Sequence, residues 1–267
     1  MIKLVASDLD GTLLLNGAQE LPEDIFPLIR RLKEMGILFV AASGRQYNNI
    51  KRLFQPVASD IAFICENGAL AVQNEKFLYE DFLDRDLMLD IIRAADETEG
   101  FEFSCSTKEF HYIMPKTEHF KNLLLNVVKV DCKVVKSVSE ITEPCVKMAV
   151  YEKDGVTDEA IRYWKERFGK RCRVVTSGFA WIDFIPFGIS KAKGIRKFQE
   201  MLQVSPDECL AFGDEYNDIE MLQSVKYGYA MAHAKEGVRA QAHYETKRVQ
   251  EVLEKLIAAG GKMEEVI

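Results

Sequence analysis

The sequence contains no Cys-x-x-Cys pair. Cys65, Cys105, Cys132, Cys145, Cys172 and Cys209 are dispersed, which argues against a zinc centre and against a disulfide framework. Its histidines, His111, His119, His233 and His243, are scattered too, and none has metal-ligand spacing. No apolar run approaches the roughly 20 residues that a membrane helix needs. The N-terminus also lacks a basic segment followed by an apolar one, so a cytoplasmic location with no membrane partner is expected. Positive charge is in deficit. The formal net charge of −7 disfavours nucleic acid and anionic membranes as partners, so an anionic substrate would need a locally positive pocket. There is no internal repeat and no low-complexity linker. What is present, 48% hydrophobic and 29% charged residues, is the composition of a soluble globular protein with a sizeable core. A length of 267 residues suggests one large domain or two ordinary ones.

The pattern at the start of the chain is strand alternating with helix, as in a parallel sheet wrapped by helices. After Leu21-Pro22, where proline suits a first helical turn, Ile25, Leu28, Ile29 and Leu32 recur at helical spacing, and Gly36 is placed to end the helix. The continuous apolar runs 37–42 and 61–65 read as strands buried on both faces. The middle of the chain differs. It combines amphipathic helices over 86–97, 117–127 and 158–168 with short strands over 102–105, 110–114, 146–151, 172–176 and 180–185, which predicts a separate α+β layer. From Gly188 onwards the alternation resumes, with a helix over 191–202 and a strand over 208–212.

Polar residues gather where the apolar runs stop. Asp8 and Asp10 end the first run; in an extended strand alternate side chains share a face, so both can project beyond the carboxyl edge, where open α/β sheets bind ligands. Gly11 can release the chain into a tight turn with backbone N–H groups turned to an anion. The plainer reading of Asp-x-Asp-Gly is a turn or a calcium loop, although an EF-hand would need Glu where Gln19 stands. Ser43-Gly44-Arg45 ends the second run and Glu66-Asn67-Gly68-Ala69 the third. Gly213-Asp214-Glu215-Tyr216-Asn217-Asp218 follows the late strand with oxygen ligands suited to magnesium. Each of these residues has a rival reading. Asp218 or Asn217 can cap the helix that begins near Ile219, Ser43 can be an N-cap, and Lys191, with Lys193 and Lys197 nearby, can belong to a solvated helix face. Arg45 can be an exposed loop arginine, and Trp181 reads as core.

Four ordered motifs carry a family resemblance: Asp8-Leu9-Asp10-Gly11-Thr12, Ser43 after its strand, Lys191 opening a helix after Pro186-Phe187-Gly188-Ile189-Ser190, and Gly213-Asp214-Glu215-Tyr216-Asn217-Asp218. With Asn67-Gly68-Ala69 after the third strand, the chain resembles the haloacid dehalogenase-like phosphohydrolases, specifically the Cof-type subgroup with a type IIB cap. The resemblance implies a Rossmann-like, doubly wound parallel-sheet core over residues 1–82 and 187–267, with an inserted α+β cap over 83–186. It also implies a magnesium-dependent phosphatase of small phosphorylated metabolites, in which Asp8 attacks phosphorus and Asp10 serves as acid and then base. Leu9, Ser43, Gly44 and Lys191 would bind phosphate. Asp8, the backbone carbonyl of Asp10 and Asp214 would hold the metal, supported by Asn217 and Asp218, and Asp218 could orient Lys191. Arg45, Asn67 and Asp183 are candidate substrate contacts. A phosphomutase of the same fold and a non-catalytic phospholigand sensor are the alternatives. The chain departs from the family pattern at Ala192, where Gly is common and a helix tolerates alanine well, and at two places that bear on substrate preference more than on reaction class: His233 where Asn is common, and Lys247-Arg248-Val249-Gln250 in place of an Asp-Gly-Val stretch.

Overall fold

Buried apolar runs become strands, and segments with apolar residues at helical spacing become the helices that cover them. The computed structural model describes residues 1–128, 130–177 and 179–267. Along the chain β1 (Leu4–Ser7), α1 (Ile25–Glu34), β2 (Leu38–Ala42), α2 (Tyr47–Leu53), β3 (Ala62–Cys65), β4 (Leu70–Gln73) and β5 (Lys76–Glu80) come first. They are followed by α3 (Arg85–Glu97), β6 (Phe101–Thr107), β7 (His111–Ile113), α4 (Glu118–Asn122), β8 (Cys132–Val134), β9 (Cys145–Glu152), α5 (Asp158–Phe168), β10 (Arg173–Ser177) and β11 (Trp181–Ile185). The last stretch holds α6 (Lys191–Leu202), β12 (Cys209–Gly213), α7 (Ile219–Gln223), β13 (Tyr227–Met231), α8 (Glu236–Arg239), β14 (Tyr244–Thr246) and α9 (Val249–Ala258). These elements fall into two compact units, one of Met1–Arg45, Ile50–Tyr79 and Ser190–Ile267, the other of Gln46–Asn49 and Glu80–Ile189.

The first unit is built on a sheet of order β14-β13-β12-β1-β2-β3-β4-β5, parallel from β14 to β3 and antiparallel between β3 and β4. Period-two alternation sends Leu4 and Ala6 of β1 to one face, where they pack with Ile195 and Phe198 of α6 and Met221 and Leu222 of α7. Ile25, Ile29 and Leu32 of α1 are buried one and two turns apart. That helix begins at Ile25 rather than near Pro22; Pro27 falls in its first turn, where a missing N–H leaves no intrahelical bond unmade. The structure adds the helices α2, α8 and α9 and the strands β4, β5, β13 and β14 to the elements legible by pattern.

The second unit carries a sheet of order β10-β11-β9-β6-β7-β8, antiparallel except for β7 beside β8. One face of it is closed by α3 and α5 around fully buried Trp164, whose ring lies 5.4, 5.5 and 5.8 Å from those of Phe101, Phe184 and Phe168. A smaller cluster seats Phe120 and Leu124 against Ile113 and Tyr151. Trp181 joins it as a packing residue, with its ring 4.8 Å from that of Tyr151. The helix expected over 117–127 is α-helical only to Asn122 and continues as a π-helical turn over Leu123–Val127. Among the described residues, no helix is long and apolar enough to cross a membrane.

Helix α6 reaches the sheet closely because Gly194 faces β3: a Cβ there would lie 2.6 Å from both Cδ1 and Cγ1 of Ile64. Alanine normally favours a helix over glycine by about 1 kcal/mol. In urea unfolding, Gly194→Ala is nevertheless expected to lower stability by about 1–3 kcal/mol through overpacking. A variant that unfolds at higher urea than the parent would show that α6 does not sit this close to β3.

Candidate active site

The site begins with strand register. Ser7 of β1 is level with Ala41 of β2 on one side and Phe212 of β12 on the other, so all three strands end together. Their next residues, Asp8, Ser43 and Asp214, therefore emerge along one edge. It is also the edge where the connections diverge, because β1 lies between β2, reached directly through α1, and β12, reached after the second unit. Crevices at such switch points are where open α/β sheets take ligands. Asp8 continues the face of Leu4 and Ala6, towards the start of α6.

Beyond Asp8 the chain turns sharply: the Leu9 carbonyl accepts from the N–H groups of Thr12, Leu13 and Leu14 at 3.2, 2.9 and 2.7 Å. Gly11 sits at φ +86°, and a Cβ on it would lie 2.1 Å from Asp214 Oδ2, so both backbone angle and space demand glycine. Thr12 Oγ1 donates to Asp214 Oδ1 at 2.8 Å and fixes that carboxylate's orientation.

Lys191 stands at the centre. It is the first residue of α6, only 1% exposed, and its Nζ donates to Asp8 Oδ1 at 2.5 Å and to Asp218 Oδ1 at 2.6 Å. The solvated-helix reading of this lysine does not hold. Asp218 Oδ2 accepts from the backbone N–H groups of Asp214 and Glu215, each at 3.0 Å, and so fastens the turn before α7; its side chain makes no cap bond to α7 itself, so the capping reading fails while Asp218 does hold Lys191. Asp8, Asp214 and Asp218 each bring one oxygen within 4.8 Å of the others.

Burial pushes Asp8 well above the usual carboxylate range, and the charges of Asp218 and Asp214 add to this while Lys191 opposes it. Asp214 is raised to about 6, again by burial first, with the Thr12 hydrogen bond working against the shift and Asp218 in its favour. For Lys191, burial alone would favour the neutral amine, but Asp218 and Asp8 together outweigh it and hold the ammonium. One cation shared among three buried acids explains why it stays charged while Asp8 and Asp214 resist ionisation.

Asp10 stands apart from this cluster. Its side chain is 53% exposed, and its two oxygens accept from Arg45 Nε at 2.8 Å and from Nη2 at 2.5 Å, a fork-to-fork pair. Ser43 caps no helix, since α2 starts at Tyr47; its Oγ accepts from the Arg45 N–H at 3.1 Å. A Cβ on Gly44 would lie 2.9 Å from Asn67 Oδ1, and that oxygen accepts from Asn217 Nδ2 at 3.0 Å. Asp183 is on β11 of the second unit, buried, with Lys147 Nζ 3.6 Å from its carboxylate. The structure thus brings together Asp8, Lys191, Asp214 and Asp218, pairs Asp10 with Arg45, and pairs Asn67 with Asn217. Sequence reasoning gave no role to Thr12; its position two residues after the second acid of the motif was the available signal.

A sequence model of the haloacid dehalogenase-like hydrolases matches residues 5–254. The chain is 28% identical over 243 residues to 5-amino-6-(5-phospho-D-ribitylamino)uracil phosphatase YbjI of Escherichia coli K12, which covers 91% of this chain and 90% of the relative. The fold of this chain is similar to that of SMU.1108c from Streptococcus mutans UA159, with a TM-score of 0.86 at 26% identity over 97% of this chain and 100% of the other. The HAD subclass IIB sugar phosphatase BT4131 shares the fold with a TM-score of 0.80 at 23% identity, over 97% and 100% of the two chains. Ordered acids at the ends of adjacent parallel strands, a buried lysine between two of them and a match spanning nearly the whole sequence lead to one conclusion: the chain belongs to the haloacid dehalogenase-like hydrolases.

Proposed function

We propose that this hydrolase is a magnesium-dependent phosphatase that acts on small phosphomonoesters in the cytoplasm through an aspartyl-phosphate on Asp8. The observation that carries the reading is the buried Lys191 ammonium held between Asp8 and Asp218 at the switch point of the sheet. It gives an acidic chain the local positive charge that a phosphoryl group needs, and it engages one oxygen of Asp8 while leaving the other for attack. Asp8 Oδ2 would bond to phosphorus as the ester oxygen leaves. Asp10 would give that oxygen a proton, then take one from the water whose attack on phosphorus releases Asp8. One oxygen of Asp10 must leave the Arg45 fork for either transfer. Ser43 and Lys191, with the chain at Leu9 and Gly44, would hold the phosphoryl oxygens. Residues 1–82 and 187–267 would form the catalytic domain and 83–186 the cap, with Arg45, Asn67 and Asp183 as candidate substrate contacts.

The donor set fits a hard divalent cation. The cluster consists of three carboxylates and one ammonium, all buried, so full ionisation leaves it two positive charges short. Asp8, Asp214 and the Asp10 carbonyl would hold magnesium, and Asn217 and Asp218 would support that set. When bound, the ion would offset repulsion between the carboxylate nucleophile and the phosphate.

Phosphate release from a panel of small phosphomonoesters, including 5-amino-6-(5-phospho-D-ribitylamino)uracil on account of the named relative, tests the reading. Turnover should require magnesium, disappear in Asp8→Asn and fall by about 10²- to 10⁴-fold in Asp10→Asn. Turnover that survives Asp8→Asn, or conversion of phosphate isomers faster than hydrolysis, would overturn it.

The raised Asp214 carboxyl makes a separate prediction for the metal-free protein. A carboxyl whose folded value of about 6 exceeds its ordinary 3.8 stabilises the fold below pH 3.8, and that contribution is lost as pH rises through about 6. In chelator, the melting temperature of the parent should therefore drop, relative to that of Asp214→Asn, between pH 4 and pH 7.5. Magnesium at pH 7.5 should restore the parent and not the variant. Parallel pH profiles for the two proteins would refute this.

A further inference from the structure

The geometry points to Asn67 as a positioning residue that ties the loop carrying Ser43 to the loop carrying Asp214 and Asp218. The inference rests on the phosphatase reading for its kinetic consequence, while the tie itself is a property of the first unit alone.

After β3 the chain enters an uncommon conformation. Glu66, Asn67 and Gly68 follow one another at φ +51°, +58° and +101°, and two of the three carry side chains. The left-handed region is disfavoured for such residues because Cβ crowds the backbone, and asparagine tolerates it better than most. A run of this kind persists where its surroundings hold it, and such runs gather at functional sites. The Glu66 N–H donates to the Arg45 carbonyl and the Asn67 N–H to the Ser43 carbonyl, both at 3.1 Å. The Gly68 carbonyl accepts from the Tyr79 hydroxyl at 2.7 Å. The turn is thus fastened along the strand end that presents Ser43.

The side chain of Asn67 reaches the other way. Its amide lies over Gly44, where a Cβ would come within 2.9 Å of Oδ1, and Oδ1 accepts from Asn217 Nδ2. Asn217 belongs to the turn whose neighbouring Asp218 holds Lys191. Gly68 adds a third approach, because a Cβ on it would lie 2.1 Å from the carbonyl of Ser190, the residue before Lys191. The left-handed backbone aims the Asn67 amide, and the bare Gly44 and Gly68 give the neighbouring loops room to close on it. The sequence run Asn67-Gly68 has a physical reason: one residue supplies the amide, the next the absence of a side chain. In this account Asn67 acts through Ser43 and Asn217.

The test separates backbone from side chain. Asn67→Gly keeps the left-handed angle accessible and removes the amide; Asn217→Ala removes the other half of the bond. Two readouts are taken: steady-state kinetics on a phosphomonoester, and the backbone amide resonances of the whole protein by NMR. In Asn67→Gly the resonances of residues 43–45 and 214–218 are expected to shift together. Its kcat should fall about 10- to 100-fold with a smaller change in KM, and adding Asn217→Ala should cost no more than about threefold beyond the poorer single variant. Shifts confined to one of the two loops, parent-like kcat, or losses that multiply in the double variant would overturn the inference. An inactive parent would refute the phosphatase reading, and the paired shifts would still decide the tie.

Discussion

The ion pairs that Lys191 makes with Asp8 and Asp218 are the constraint on which the rest of the site depends. A carboxylate buried at a strand end with no compensation is costly, and two more beside it raise that cost. The ammonium makes the arrangement tolerable, and the fold is organised to deliver it. β12 returns beside β1, α6 starts at the same edge, and Gly194 lets the helix sit against β3. Asp218 serves twice, holding Lys191 with one oxygen and its own loop with the other. One positive charge among three acids still leaves the cluster under-compensated, which adds to the effect of burial in raising the carboxyls of Asp8 and Asp214 and is the electrostatic basis for the proposed divalent cation.

The same balance reconciles an acidic chain with an anionic substrate. A net charge of −7 describes the whole surface, but the site is a local arrangement of Lys191, Arg45 and the proposed cation. Arg45 is held by the half-exposed Asp10 rather than by the buried cluster, so the two acids of the opening motif live in different surroundings. Separation of that kind suits a nucleophile and a proton carrier that must not exchange roles.

Much of this was legible in the sequence because buried parallel strands are continuous apolar runs, and whatever follows them lies at the ligand-binding edge. That logic located Asp8, Ser43 and Asp214 without a structure. It could not decide Lys191, since a lysine among Lys193 and Lys197 on a helix looks like a solvated face until the helix is placed on its sheet. Nor could it choose between cap and partner for Asp218, which leaves α7 without a side-chain cap and instead holds Lys191 with one oxygen and its own turn with the other. The hairpin of β4 and β5 was missed for a local reason. Its turn residues, Asn74 and Glu75, both have positive φ, but Asn-Glu lacks the glycine that normally advertises such a turn. The motif marked Asn67 itself, but its bond to Asn217 spans 150 positions of sequence and needed the fold to bring the two together.

The central claim is that Asp8 becomes covalently attached to phosphorus. The most direct measurement is to quench the enzyme during turnover, reduce any acyl phosphate with borohydride and map the modified residue by peptide mass spectrometry. The account predicts that position 8 is converted to homoserine only when magnesium and substrate are both present, with Asp10 unchanged. Steady turnover with Asp8 unmodified, or reduction at a different acid, would contradict it.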